Sequence, residues 1–272
     1  MRNKILYILL ILVATLFIPS CMSANYGFHI PENSRDQFVR ILQQVQISIC
    51  VEEGCTSTPM KSSGSGAVVS ESLRGSYILT AGHVCELEID RIIPPELIKN
   101  INRIDINMII VNLAQSKYNA EIIAIDQNSD LCLMFSKGYW NESGAVDMAD
   151  VKPFEGERVY NVAAPVGIFY ENVVPLLEGF YMGRKQLRAY YSIPAMGGSS
   201  GSPIVNIRGD LVGMIHSVNV AFPMVSVSPT YSELKKFINF NVLAHKKELE
   251  TKEETKTRSV EPFWRSLGLD RI

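Results

Sequence analysis

Three short segments of this 272-residue chain hold residue types that can together activate a hydroxyl for attack on a carbonyl. In MGGSSGSPIV (196–205), Ser200 stands two residues after Gly198 and is followed by Gly201, Ser202 and Pro203. Small residues let backbone amides approach a bound group, and the amides of Gly198 and Ser200 have the spacing to offer two donors to a developing oxyanion. A plain Gly/Ser loop between strands has the same composition, so this segment needs partners elsewhere. SYILTAGHVC (76–85) supplies one by running an apolar strand into His83, and an imidazole titrates in the range suited to taking a serine proton. His29 lies near the N-terminus and His245 beyond the last core strand, which leaves His216 as the competing base. The imidazole in turn needs a carboxylate to hold its tautomer and stabilise its charged form. AIDQNSDLCLMF (124–135) offers Asp130 at the head of an apolar strand, with Asp126 as the alternative.

The elements that must position these residues read as short strands. Runs such as QISICV, SGAVVS, SYILTA, IDINMIIV, LCLMF, RVYNVAA and LVGMIHSV are rich in Val, Ile and Tyr and are separated by turn residues such as EEG, NSD and RGD. Many short strands with turn punctuation predict a mainly β sandwich or barrel. Two segments depart from that pattern. Residues 33–45 open with Asn and Ser and place Phe38, Ile41, Leu42 and Val45 at helical spacing, which predicts a short N-terminal helix; residues 232–240 predict a C-terminal one. The charged stretch from Lys246 to Arg258 reads as a solvated tail or helix face. Beyond it, Phe263 and Trp264 either dock on the domain or meet a partner.

Composition bounds the class. With 47% hydrophobic and 20% charged residues and a formal net charge of −2, the chain is globular and lacks the basic excess that nucleic-acid binding requires. Residues 1–24 carry Arg2 and Lys4 ahead of an apolar run from Ile5 to Ile18, the layout of an export signal; a retained membrane anchor is the alternative. Ile18-Pro19-Ser20-Cys21 resembles a bacterial lipobox, implying lipidation of Cys21 and a membrane tether, with ordinary cleavage near Ser23 or Ala24 as the other outcome. The expected location is therefore periplasmic, secreted or membrane-anchored. In an oxidising compartment the remaining cysteines can pair. CVEEGC can close a hairpin, which favours Cys50 with Cys55, and Cys85 and Cys132 each follow a candidate site residue by two positions, which favours that pair. Scattered histidines and the lack of a second paired cysteine cluster argue against zinc, and no metal or cofactor is expected.

The segments resemble the trypsin-like superfamily, most closely its bacterial HtrA and glutamyl-endopeptidase branches. TAGHV, SDLCLM and GSSGSPIV match its histidine, aspartate and serine motifs; SGSGAVVS (63–70), NVAAPVG (161–167) and LVGMIHSV (211–218) resemble the strands around them. The resemblance covers about residues 45–240. The order His, Asp, Ser is that of the chymotrypsin type, which implies two six-stranded antiparallel barrels, His83 and Asp130 on the first and Ser200 on the second. The expected organisation is a signal at 1–24, a helical segment at 25–45, a protease domain at 46–241 dividing near 140–155, and a charged tail at 242–272. The resemblance puts Pro194 at the base of the specificity pocket, with Ile215 and His216 in its wall. No buried charge then awaits a basic side chain, and a small or medium apolar one is expected. His216 falls where the family carries a small or amide residue beside the aspartate. The implied activity is serine endopeptidase on protein or peptide substrates; the alternatives are a catalytically silent binding scaffold and a protease that processes only itself.

Overall fold

The computed structural model describes residues 33–52, 54–87, 89 and 92–266, with side chains up to residue 252. The leader with Cys21, and His29, lie outside the described residues.

A single helical turn, α1 (Asn33–Asp36), leads into β1 (Phe38–Val51), so the helix expected across 33–45 ends where the sheet begins. The inward positions of β1 are Val39, Ile41, Gln43, Val45 and Ile47, all buried with the alternation of a strand. Two features hid that alternation. Gln43 is a polar residue on the inner face, buried because its Nε2 donates to the carbonyls of Cys85 and Glu86 (3.3 Å each) and its Oε1 accepts from Ser62 Oγ (3.1 Å). Phe38 and Leu42 on the other face are also covered, by a cluster that includes Val162, Phe169 and Val174.

β1 pairs with β2 (Gly54–Ser72), which returns through β3 (Gly75–Ala81) to another one-turn helix, α2 (Gly82–Cys85). After α3 (Pro95–Ile98) come β4 (Ile101–Val111), β5 (Lys117–Asp126) and β6 (Leu131–Lys137). The order β1-β2-β3-β6-β5-β4 closes as a six-stranded barrel with every pair antiparallel. Its core holds Ile41, Leu79, Ile110, Leu133 and Met134, each at most 1% exposed. Burying such a side chain is worth about 1.5–3 kcal/mol relative to exposure.

The second unit is a seven-stranded antiparallel sheet. Its strands are β7 (Arg158–Val162), β8 (Leu176–Lys185), β9 (Arg188–Tyr191), β10 (Pro203–Asn206), β11 (Leu211–Met214), β12 (Ser217–Val218) and β13 (Ser226–Pro229). The order is β11-β10-β7-β8-β9-β13-β12. Its two edges, β11 and β12, are separated in sequence only by Ile215 and His216, so one stretch of chain serves both ends of the sheet and curls it round. At that join Met214 N–H donates to Ser228 Oγ (2.9 Å), a side chain standing in for a ladder carbonyl.

The last element, α4 (Tyr231–Ser266), starts where the Glu233 side chain reaches back to Thr230: its Oε2 accepts both the Thr230 hydroxyl (2.8 Å) and Thr230 N–H (3.1 Å). Leu234, Phe237, Ile238 and Val242 lie at helical spacing and pack into the first core. The charged stretch from Lys246 continues this helix; the side chains of Phe263 and Trp264 lie outside the description. No helix among the described residues is long and apolar enough to cross a membrane. Both expected cysteine pairs are disulfide-bonded, Cys50 with Cys55 at the tip of the β1–β2 hairpin and Cys85 with Cys132 between α2 and β6.

Candidate active site

His83 sits in α2, immediately after β3, and the start of β6 runs beside it. Gly82 N–H donates to the carbonyl of Asp130 (2.9 Å) and His83 N–H to its Oδ1 (2.8 Å), while His83 Nδ1 faces Oδ2 at 2.8 Å. A Cβ at Gly82 would lie 2.9 Å from Asp130 Oδ1, so the glycine before the histidine is what lets the carboxylate come this close. Asp130 itself adopts φ +52°, a left-handed conformation that aspartate tolerates better than most residues. Burial pushes its carboxyl pKa up, but hydrogen bonds from the His83 side chain and backbone, with the charges of His83 and His216, outweigh this and hold it below the usual carboxylate range. The alternative, Asp126, is turned to its own loop, where Oδ1 accepts the amides of Asn128 (3.0 Å) and Ser129 (3.4 Å).

Ser200 reaches the same region because its loop is fastened to the first barrel. Its carbonyl accepts Ser65 N–H (2.8 Å), and the following amide, Gly201 N–H, donates to Ile215 O (2.6 Å). Gly201 has φ +90°, and a Cβ there would overlap the backbone oxygen of Ser65 and the hydroxyl of Thr80. Thr80 Oγ1 donates to Ser65 O (2.8 Å), and three residues later the chain reaches His83. The serine loop and the histidine turn thus rest on the same short piece of β2 and β3.

The backbone before Ser200 is held from its carbonyl side. Gly197 O accepts Val166 N–H (2.7 Å), Gly198 O accepts Ser65 Oγ (2.7 Å), and Ser199 O accepts Ser202 N–H (3.0 Å). A trans peptide directs its C=O and N–H to opposite sides. Anchoring the carbonyls of Gly197 and Ser199 therefore turns the amides of Gly198 and Ser200 the other way, and among the described residues neither amide has an acceptor. Ser65 Oγ also accepts Ala164 N–H (3.1 Å), so one hydroxyl links both units. Sequence reasoning did not single out Ser65. Its only trace there is a serine between the glycines of SGSG, a composition shared with many loops.

The expected pocket residues separate. Pro194 is half-buried; Ile215 is 1% exposed within the second core, beside Tyr191, Ile193 and Val212. His216 turns instead to Asp130, with Nδ1 3.5 Å from Oδ2. It also borders a cleft of about 460 Å³ between the Gln127–Ser129 turn, the Gln186–Arg188 turn and Ser217. Among the described residues no group of three or more His, Cys, Asp or Glu side chains is placed to hold a metal ion. The arrangement brings together a hydroxyl-bearing loop, an imidazole oriented by a carboxylate, and two unengaged amides.

Comparison with known proteins bears on the fold and the family. No curated protein matches the chain. Among solved structures, the chain is similar to the serine endoprotease from Yersinia pestis, at 16% identity and a TM-score of 0.54 over 77% of this chain. The chain spans 65% of the length of that protein, and the likeness is one of fold. The family of trypsin-like peptidase domains matches residues 64–214. That match takes in more than half of the sequence and all three candidate residues, and the chain belongs to the trypsin-like peptidase family.

Proposed function

We propose that the chain is a serine endopeptidase in which Ser200 is the nucleophile, His83 the general base and then general acid, and Asp130 the group that holds the imidazole. The observation that carries this reading is the approach of Asp130 Oδ2 to His83 Nδ1 at 2.8 Å beside a serine loop clamped to the same strands. With its Nδ1–H directed at Asp130, His83 uses Nε2 to take the Ser200 proton as Oγ attacks the scissile carbonyl. The C–N bond then breaks, the leaving amine takes that proton, and water repeats the sequence on the acyl-enzyme. The amides of Gly198 and Ser200 receive the oxyanion. Pro194 supports a pocket without charge, suited to a small or medium apolar side chain. Two disulfides support an exported protein, and the leader with Cys21 supports a lipid tether as one route to the membrane.

The test is Ser200→Ala in the purified mature protein. Wild type is expected to cleave casein and to be labelled at Ser200 by a fluorophosphonate, and the variant to do neither. Equal cleavage by the two proteins would overturn the assignment.

A further inference from the structure

We propose that His216 is a positioning residue that shares the Asp130 carboxylate with His83 and thereby sets the basicity of the His83 imidazole. This rests on the reading of His83 and Asp130 given above and adds a fourth group to it.

Three donors converge on one carboxylate. Oδ1 is taken by the backbone N–H of His83, and Oδ2 faces two imidazoles, His83 Nδ1 at 2.8 Å and His216 Nδ1 at 3.5 Å. The second distance is too long for a strong hydrogen bond but well within the range of a directed electrostatic contact. The His216 side chain is 11% exposed, so its ring is packed on most sides, and its backbone N–H donates to Val227 O (3.0 Å), which holds the main chain from which the ring projects.

The charge state of this ring follows from its surroundings. Burial pushes the His216 pKa down; Asp130 pushes it up, Arg188 of β9 and His83 of α2 push it down, and Glu233 of α4 pushes it up. The net direction is down, so His216 is a neutral imidazole at neutral pH. A neutral ring next to a carboxylate is stable only with its proton on Nδ1, because the other tautomer would aim a lone pair at Oδ2. His216 therefore points an N–H dipole at Asp130. That dipole draws off part of the negative potential that would otherwise act on His83 alone and makes His83 a weaker base.

The experiment follows the His83 ring by NMR titration in wild type, His216→Phe and His216→Asn, alongside the pH profile of kcat/KM on a peptide substrate. Without the N–H donor, in His216→Phe, His83 is expected to titrate about half a unit higher, the contact being weaker than a full hydrogen bond to a charged group. The acid limb of kcat/KM should move up by the same amount. In His216→Asn, whose amide N–H takes the place of Nδ1–H, both should return toward wild type. Should the bulk of Phe prevent folding, His216→Ala removes the donor without adding volume and is expected to give the same shift. Identical His83 titration in wild type and the donor-free variants overturns the proposal, whatever happens to stability or rate. A wild-type protein without peptidase activity would instead overturn the reading of Ser200, and the titration would still decide the role of His216.

Discussion

The hydroxyl of Ser65 donates to the carbonyl of Gly198 across 2.7 Å, joining residues 133 positions apart in the chain. Because Ser65 also accepts the amide of Ala164 and gives its own amide to Ser200 O, it is the point where the first barrel grips the serine loop.

Ser65→Ala should therefore impair the site more than the fold. The lost hydrogen bonds cost about 1–3 kcal/mol of stability, whereas release of the Gly198–Ser199 peptide, which lies between the two peptides that carry the Gly198 and Ser200 amides, is expected to lower kcat about tenfold or more by letting those proposed oxyanion donors shift. Steady-state kinetics with a peptide ester, compared with the thermal midpoint, checks the split. A variant with unchanged kcat would remove Ser65 from the machinery.

Asp130→Asn preserves shape but leaves the His83 Nδ1 side facing an amide. A loss of about four orders of magnitude in kcat is expected, with KM changed little. Single-turnover acylation measurements separate this from a binding defect.

The same carboxyl links stability to pH. Its folded pKa lies below its unfolded value, so it contributes stability that is fully present above about pH 4 and is lost as pH falls through the folded pKa. Denaturant titrations between mildly acidic and strongly acidic pH should find a steeper loss in wild type than in Asp130→Asn. Parallel curves would contradict the shift.

Glycines on either side of Ser200 have opposite requirements. Gly201→Ala places a Cβ on fixed backbone at positive φ and is expected to cost about 3 kcal/mol or more. Gly197→Ala meets nothing within 4 Å and should change stability by less than about 0.5 kcal/mol. Chemical denaturation of both variants tests the contrast.

The two disulfides should also differ. Closing the 47-residue separation between Cys85 and Cys132 is worth about 4 kcal/mol by chain entropy, against about 2 kcal/mol for the short Cys50–Cys55 loop. Cys85→Ala/Cys132→Ala should lower the unfolding midpoint further, and should lower activity because the pair ties the His83 turn to β6, the strand that begins just after Asp130. Cys50→Ala/Cys55→Ala, at an exposed hairpin tip, is expected to leave activity intact.

Much of the layout was legible in the residues themselves. The β-rich runs, the start of the final helix near Ser232, the His, Asp, Ser order and the glycines around Ser200 are local patterns, written in composition and spacing within a few positions. Even the cysteine pairs followed from position along the chain.

What tertiary structure decided are the matters settled by partners far away in sequence. Residues 38–45 became a strand because Gln43 finds its acceptors at Cys85 and Glu86 and because a second cluster covers the outer face. Asp130 rather than Asp126 faces His83, while the Asp126 carboxylate is taken up by the amides of its own turn. The grip of Ser65 has no local signature, and although the resemblance already put His216 beside the aspartate, the direction of its Nδ1 toward Asp130 Oδ2 comes from the fold. Local propensity and periodicity act over one or two turns of chain, whereas burial of a polar side chain is decided by whichever distant donor or acceptor the fold brings to it.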